Sequence, residues 1–137
     1  MIDKIIGNYS TFWINGLKYT FEITFVSILI GLVLGLILAI MRIYGNKILR
    51  GIAIFYIDII RGTPMIVQLF ILYYGLGSTG LVHFTPMQAA IIGMGLNSGA
   101  YQAEYFRTAF LAIPTGQTEA ALSLGMSRMS VIFNILL

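Results

Sequence analysis

Residues 23–41 form 19 consecutive uncharged positions, mostly Ile, Leu and Val, close to the roughly 20 apolar residues that a helix needs to cross a bilayer. A second stretch, 62–103, contains no Asp, Glu, Lys or Arg over 42 residues. That is room for two spans and a turn, and Gly75-Leu76-Gly77-Ser78-Thr79-Gly80 supplies the turn. Thr85-Pro86-Met87-Gln88 reads as the start of the third span, with Thr as cap, Pro in the first turn and Gln three positions after the Thr. Residues 129–137 begin a further apolar run, too short to span. The pattern therefore predicts an all-α, polytopic transmembrane helix bundle with three full spans and the start of a fourth.

Ahead of the first span, Asp3, Lys4 and Lys18 lie among Tyr9, Phe12, Trp13 and Tyr19, a mixture suited to the bilayer interface. This predicts an interfacial segment over 1–19. A cleaved signal peptide fits less well, because the apolar run begins only after Glu22 and no small-residue cleavage site follows it. Thr20, Thr24, Ser27, Gly31 and Gly35 recur at steps of three or four, a stripe of small residues that lets another helix approach. Gly95 and Gly99 offer a second such approach. The segment 51–60, interrupted by Asp58, reads as a helix at the membrane boundary, with Asp58 and Arg61 spaced to pair.

Composition confirms the class. The chain is 58% hydrophobic and only 9% charged, against about 25% charged in soluble domains. Arg42, Lys47, Arg50 and Arg61 cluster between the first two apolar stretches, whereas 75–88 has neither Lys nor Arg. The positive-inside rule then places 42–61 in the cytoplasm and the N-terminus outside. A net charge of +3, spread over membrane ends, gives no reason to expect nucleic acid. With no Cys and a lone His83 in the outer turn, there is no expected metal site, and an intramembrane hydrolase would lack a nucleophile and base within reach.

The polar residues inside the apolar stretches are the candidates for function. Gln68 is an amide at bilayer depth, which is unfavourable without a partner. Asn97, Tyr101 and Glu104 follow at steps of four and three, with Ser98 and Gln102 beside them. This stripe is a candidate lining for a translocation path, or equally a set of helix-to-helix hydrogen bonds; Glu104 is also spaced to pair with Arg107. Pro114 closes the helix, and 115–130 returns to mixed polarity. It predicts a short helix, a turn at Gly125 and a second helix capped by Ser127, forming an exposed knob.

Two motifs carry a resemblance. Glu119, Ala120 and Ala121, then Gly125, Ile135 and Leu137, resemble in register the cytoplasmic EAA loop of ABC-importer permeases. Arg61, Gly62, Thr63, Pro64, Val67, Gln68 and Leu69 resemble the R-G-T-P-x-x-V-Q-L segment of the polar amino-acid (histidine/glutamine-type) branch, with Thr63 a plausible helix cap and Pro64 in the first turn. The resemblance implies a single permease domain over 1–137, incomplete at its C-terminus, in a prokaryotic cell membrane. It implies a permease subunit that imports polar amino acids, with no cofactor of its own. The expected partners are ABC ATPase subunits, a second permease copy or homologous permease, an extracytoplasmic solute-binding protein and the lipid bilayer. No G-x-x-x-x-G-K-[ST] phosphate loop occurs, so ATP hydrolysis is expected on a separate subunit. Ala121 is expected to pack against that ATPase, with Leu122 off the contact face. A non-transporting membrane scaffold is the alternative; it would share the apolar helices but would not need Gln68, Asn97 and the knob together.

Overall fold

A computed structural model describes residues 2–80, 82–132 and 134. Those residues form helices and connecting turns, with no strand among them. The order is α1 (Ile2–Tyr44), α2 (Lys47–Gly62), α3 (Met65–Phe70), a π-helical stretch (Ile71–Gly75), α4 (Leu76–Ser78), α5 (Pro86–Ala112), α6 (Thr115–Ser123) and α7 (Arg128–Val131).

The pairing of α1 with α5 dominates the fold. Ile30 lies over Gly95 and Leu34 over Gly99, while Gly31 and Gly35 lie against Ser98, Gln102 and Ala103. Positions rise together on both helices, so they run parallel. The Ser27 hydroxyl, buried, donates to the Ile91 carbonyl at 3.1 Å. Both glycine pairs thus face the same seam, each opposite larger side chains of the other helix. The seam is a steric fit, as expected where lipid offers no hydrophobic reason for two helices to associate. Thr20, higher on the predicted stripe, only returns its hydroxyl to the Gly16 carbonyl.

Several expectations are corrected. The predicted interfacial segment is continuous with the first span: α1 has 43 residues, about 65 Å at 1.5 Å per residue. α2 starts at Lys47, where the Asn46 side chain accepts from the Leu49 amide, and it packs against both α1 and α5. The Tyr56 hydroxyl donates to the Leu96 carbonyl at 2.9 Å, near the middle of α5. Ala53 and Ile57 are buried with Leu38 and Ala103 in the core. Asp58 is exposed, and Arg61 turns instead to Glu104.

Among the described residues, α1 from Tyr9 to Tyr44 is the one helix that alone is long and apolar enough to cross a membrane. Lys47–Gly62 and Met65–Ser78 together would make a second, but their axes meet at 105°. α5 has 27 residues, yet its amides and Glu104 dilute its apolar character.

A methyl group added at Gly35 would stand 3.0 Å from the Gly99 carbonyl oxygen and 3.0 Å from the Ala103 amide nitrogen, neither of which can rotate away. At Gly31 the nearest atoms belong to the side chains of Ser98 and Gln102. Gly35→Ala should therefore destabilise the detergent-solubilised protein by about 1–3 kcal/mol, and Gly31→Ala by a comparable amount, because its methyl would stand 2.7 Å from the Ser98 Cβ. Unchanged thermal unfolding in both variants would show that helix separation does not limit the seam.

Candidate functional site

The break between α2 and α3 is built from Thr63 and Pro64. A residue before proline is pushed to extended backbone, and Thr63 has ψ 141° with Pro64 at ψ 135°. Thr63 does not cap α3, as the sequence suggests; its hydroxyl donates back to the Ile59 carbonyl at 2.9 Å and so closes α2. Pro64 takes the N-cap position without a side-chain bond, and the π-helical stretch follows after the six residues of α3.

Gln68 spans this break. Its amide nitrogen lies 2.7 Å from the Ile60 carbonyl, 3.2 Å from the Thr63 carbonyl and 2.8 Å from the Thr63 hydroxyl. Its amide oxygen accepts from Asn97 at 3.3 Å. The last carbonyls of a helix have no partner within the helix, and in a bilayer water does not supply one. Gln68 supplies it and ties the break to α5. A cavity of about 250 Å³ opens beside it, with Gln68 and Thr63 among apolar residues including Ile60, Val67, Leu72 and Gly93.

The predicted polar stripe on α5 divides into two faces. Ser98 and Gln102 bond each other at 2.8 Å and lie in the α1 seam. Asn97, Tyr101 and Glu104 look toward α2 and the break. The Arg61 guanidinium stands 5.3 Å from the centre of the Tyr101 ring, within cation–π range. Glu104 holds Arg107 at 2.8 Å, Arg42 through a direct ion pair and Arg61 at 3.5 Å. One carboxylate therefore joins the C-terminal end of α1, the C-terminal end of α2 and its own helix. The sequence reading anticipated only Arg107. Arg42 was the readable omission, since it ends the first apolar run as Glu104 nears the end of the third.

The EAA residues lie on α6. Glu119 and Ala120 are exposed, and Ala121 is buried at 4% relative exposure. Val131 and Ile132 are buried as well. The large exposed apolar side chains of this element are Leu122 and Leu124. Gly125 has φ +84°, a conformation that side chains disfavour. The Gly125 amide donates to the Leu122 carbonyl at 3.0 Å and the Met126 amide to the Ala121 carbonyl at 3.1 Å, the paired bonds of a Schellman cap. Ser127 accepts from the Ser130 amide at 3.2 Å, so the predicted cap of the second helix is present. Ile135 and Leu137 of the motif lie outside the described residues.

Residues 31–137 match the family model described as binding-protein-dependent transport system inner membrane component. The chain is 38% identical over 122 residues to the L-cystine transport system permease protein TcyB of Bacillus subtilis, covering 89% of this chain and 52% of that protein. It is 36% identical over 126 residues to a putative glutamine transport system permease protein GlnP of Rickettsia prowazekii, covering 92% and 58%. The chain thus spans little more than half the length of these curated relatives. A crystal structure of an amino acid ABC transporter with histidines contains a chain that superposes with TM-score 0.81 at 37% identity, covering 93% of this chain and 59% of its own.

Gln68 and Asn97 share one bond and one break, so their substitutions should not add. Gln68→Leu leaves the Ile60 carbonyl and the Asn97 amide unpaired and should lower stability by about 1–3 kcal/mol. Combined with Asn97→Leu, the total loss should fall short of the sum by at least about 0.5 kcal/mol. Strict additivity in denaturation of the two singles and the double would reject the bridge.

Proposed function

The chain belongs to the family of binding-protein-dependent transport system inner membrane components, and on that membership we propose that it forms part of a permease subunit of an ATP-driven importer of polar amino acids. The observation that carries this reading is the knob: a two-helix element, closed by the cap at Gly125, that follows directly from the end of α5. A short rigid projection at a helix end suits a part that passes motion between subunits. A non-transporting scaffold gives no reason for it, nor for the Gln68–Asn97 bridge across a broken helix.

In this reading α1, the bent α2–α4 unit and α5 are three spans. The N-terminus lies outside, and the arginine-bearing end with the knob lies in the cytoplasm, following the asymmetry of Lys and Arg. The knob seats on a separate ATPase that hydrolyses ATP, so this chain is not the enzyme. Two ATPase copies, a second permease copy or homologous permease, and an extracytoplasmic solute-binding protein complete the assembly. Asn97, Tyr101 and Glu104, with Gln68 and Arg61 opposite, line the polar amino-acid path; Ser98 and Gln102 back that face against α1. Gly62, Thr63 and Pro64 provide the break at which the path-side helix can bend. The named functions of the relatives, transport of L-cystine and of glutamine among them, support an amino acid as solute.

The full-length protein, reconstituted in liposomes with its ATPase, should show ATP hydrolysis stimulated by solute and its binding protein. Failure to capture any ATPase would sink the proposal. Leu124 is 85% exposed, so Leu124→Asp should weaken ATPase capture while leaving the permease folded. Ala121→Asp, which buries an unpaired charge, should instead lower stability by several kcal/mol or more. If Leu124→Asp captured ATPase normally, Leu124 would lie off the docking face. A cysteine at Thr79 should react with an impermeant reagent from outside and one at Ser127 only from inside; the opposite result would invert the topology.

A further inference from the structure

Where α1 turns into α2, the bundle carries a cleft of about 300 Å³ that the transport reading does not use. It is lined by the basic residues Arg42, Arg50 and Arg107 together with the aliphatic residues Ile43, Ile54 and Leu111. The guanidiniums are held in place. Arg50 donates from Nε to the Arg42 carbonyl at 2.9 Å and from Nη2 to the Ile43 carbonyl at 3.4 Å, satisfying the C-terminal end of α1. Arg107 donates from Nε to Glu104, and Arg42 from Nη1 to the same carboxylate. Each of these arginines has further N–H groups beyond the bonds named. Glu104 is the carboxylate that Arg42 and Arg107 share, and Arg61 draws on it as well, whereas Arg50 has no ion pair among the described residues, so positive charge is in excess at this end.

We propose that this cleft binds the phosphate of an anionic glycerophospholipid. Preset guanidinium forks match phosphate oxygens in geometry and charge. Basic residues at a membrane end draw anionic headgroups. The aliphatic wall decides between sources of the anion: Ile43, Ile54 and Leu111 provide a surface for the start of an acyl chain, which inorganic phosphate does not have. The site requires that the chain spans a membrane and that this end lies at a headgroup layer. It depends neither on the solute nor on ATPase coupling. A bound lipid would bridge the turn between α1 and α2 to the end of α5, the point from which the knob departs.

The test uses the full-length permease assembled with its ATPase, stripped of lipid and then given phosphatidylglycerol in a phosphatidylcholine background, with retained lipid read by native mass spectrometry. Phosphatidylglycerol should be retained selectively and resist displacement by inorganic phosphate. Arg50→Gln should reduce retention about five-fold, the weight of one basic residue at an anionic surface. Because Arg50 also caps α1, Leu111→Glu serves as the second variant: it removes no arginine, sets a carboxylate that competes with phosphate for the guanidiniums of the cleft, and should reduce retention at least as much. Unchanged retention in Leu111→Glu would overturn the site. Displacement by inorganic phosphate would overturn the lipid as its ligand, and retention only after the ATPase is removed would assign the cleft to an acidic group of that partner. Loss of lipid retention with solute-stimulated hydrolysis intact would support the site, since the transport reading alone predicts no such lipid.

Discussion

The close approach of α1 to α5 is the constraint from which the rest of the arrangement follows. With backbone atoms of Gly99 and Ala103 only 3.0 Å from where a Gly35 side chain would begin, the seam has one register. That register turns Ser98 and Gln102 into α1 and leaves Asn97, Tyr101 and Glu104 toward α2. It also sets the end of α1 beside Glu104, where Arg42 can reach it. Dispersion between closely fitted helices, together with a few polar contacts such as Ser27 to Ile91, supplies the attraction that burial from water supplies in a soluble core.

The break at Thr63 and Pro64 poses the opposite problem, because it frees backbone carbonyls at the end of α2. Their satisfaction is local. Thr63 turns back to Ile59, and the Gln68 amide covers Ile60 and Thr63. Only the second end of that amide reaches another helix, at Asn97. The Gln68 bond to Ile60 runs from α3 back to α2, so it braces the break at its present angle. The Gln68 amide thus has a structural reason, and its contact with α5 gives any movement of the break a direct route to the polar face.

Features decided within one turn of helix were legible in the sequence. The capping box at Thr85 and Gln88 is present with bonds of 3.2 and 2.9 Å. The turn at Gly125, the cap at Ser127 and the small-residue faces of α1 and α5 also follow from local spacing. What spacing alone could not assign was choice among partners. Arg61 has Asp58 three positions away, yet the α5 carboxylate and the Tyr101 ring hold it in a less exposed setting. Thr63 has a cap-like position, but the proline after it leaves its hydroxyl better placed to close the preceding helix. Ala121 fits a small contact face toward a partner equally well as a small packing position within the loop. Ala121 is buried in the folded chain, which spacing alone does not show.

α5 connects these parts mechanically. It is one uninterrupted helix from the capping box to Ala112, and only Ile113 and Pro114 separate it from the knob. Their extended backbone, at ψ 127° and 130°, leaves few freely rotating bonds between the two. On the proposed reading, force on the knob would enter α5 almost directly and be shared with α1, because the glycine seam does not let the two slide independently. α2 is joined to that pair more loosely, chiefly through Glu104, the Tyr56 hydroxyl and the packing of Ala53 and Ile57. Relative motion is therefore expected at the α2–α3 break, and on the proposed reading the polar face of α5, from Asn97 to Glu104, lies where such motion would open or close a path.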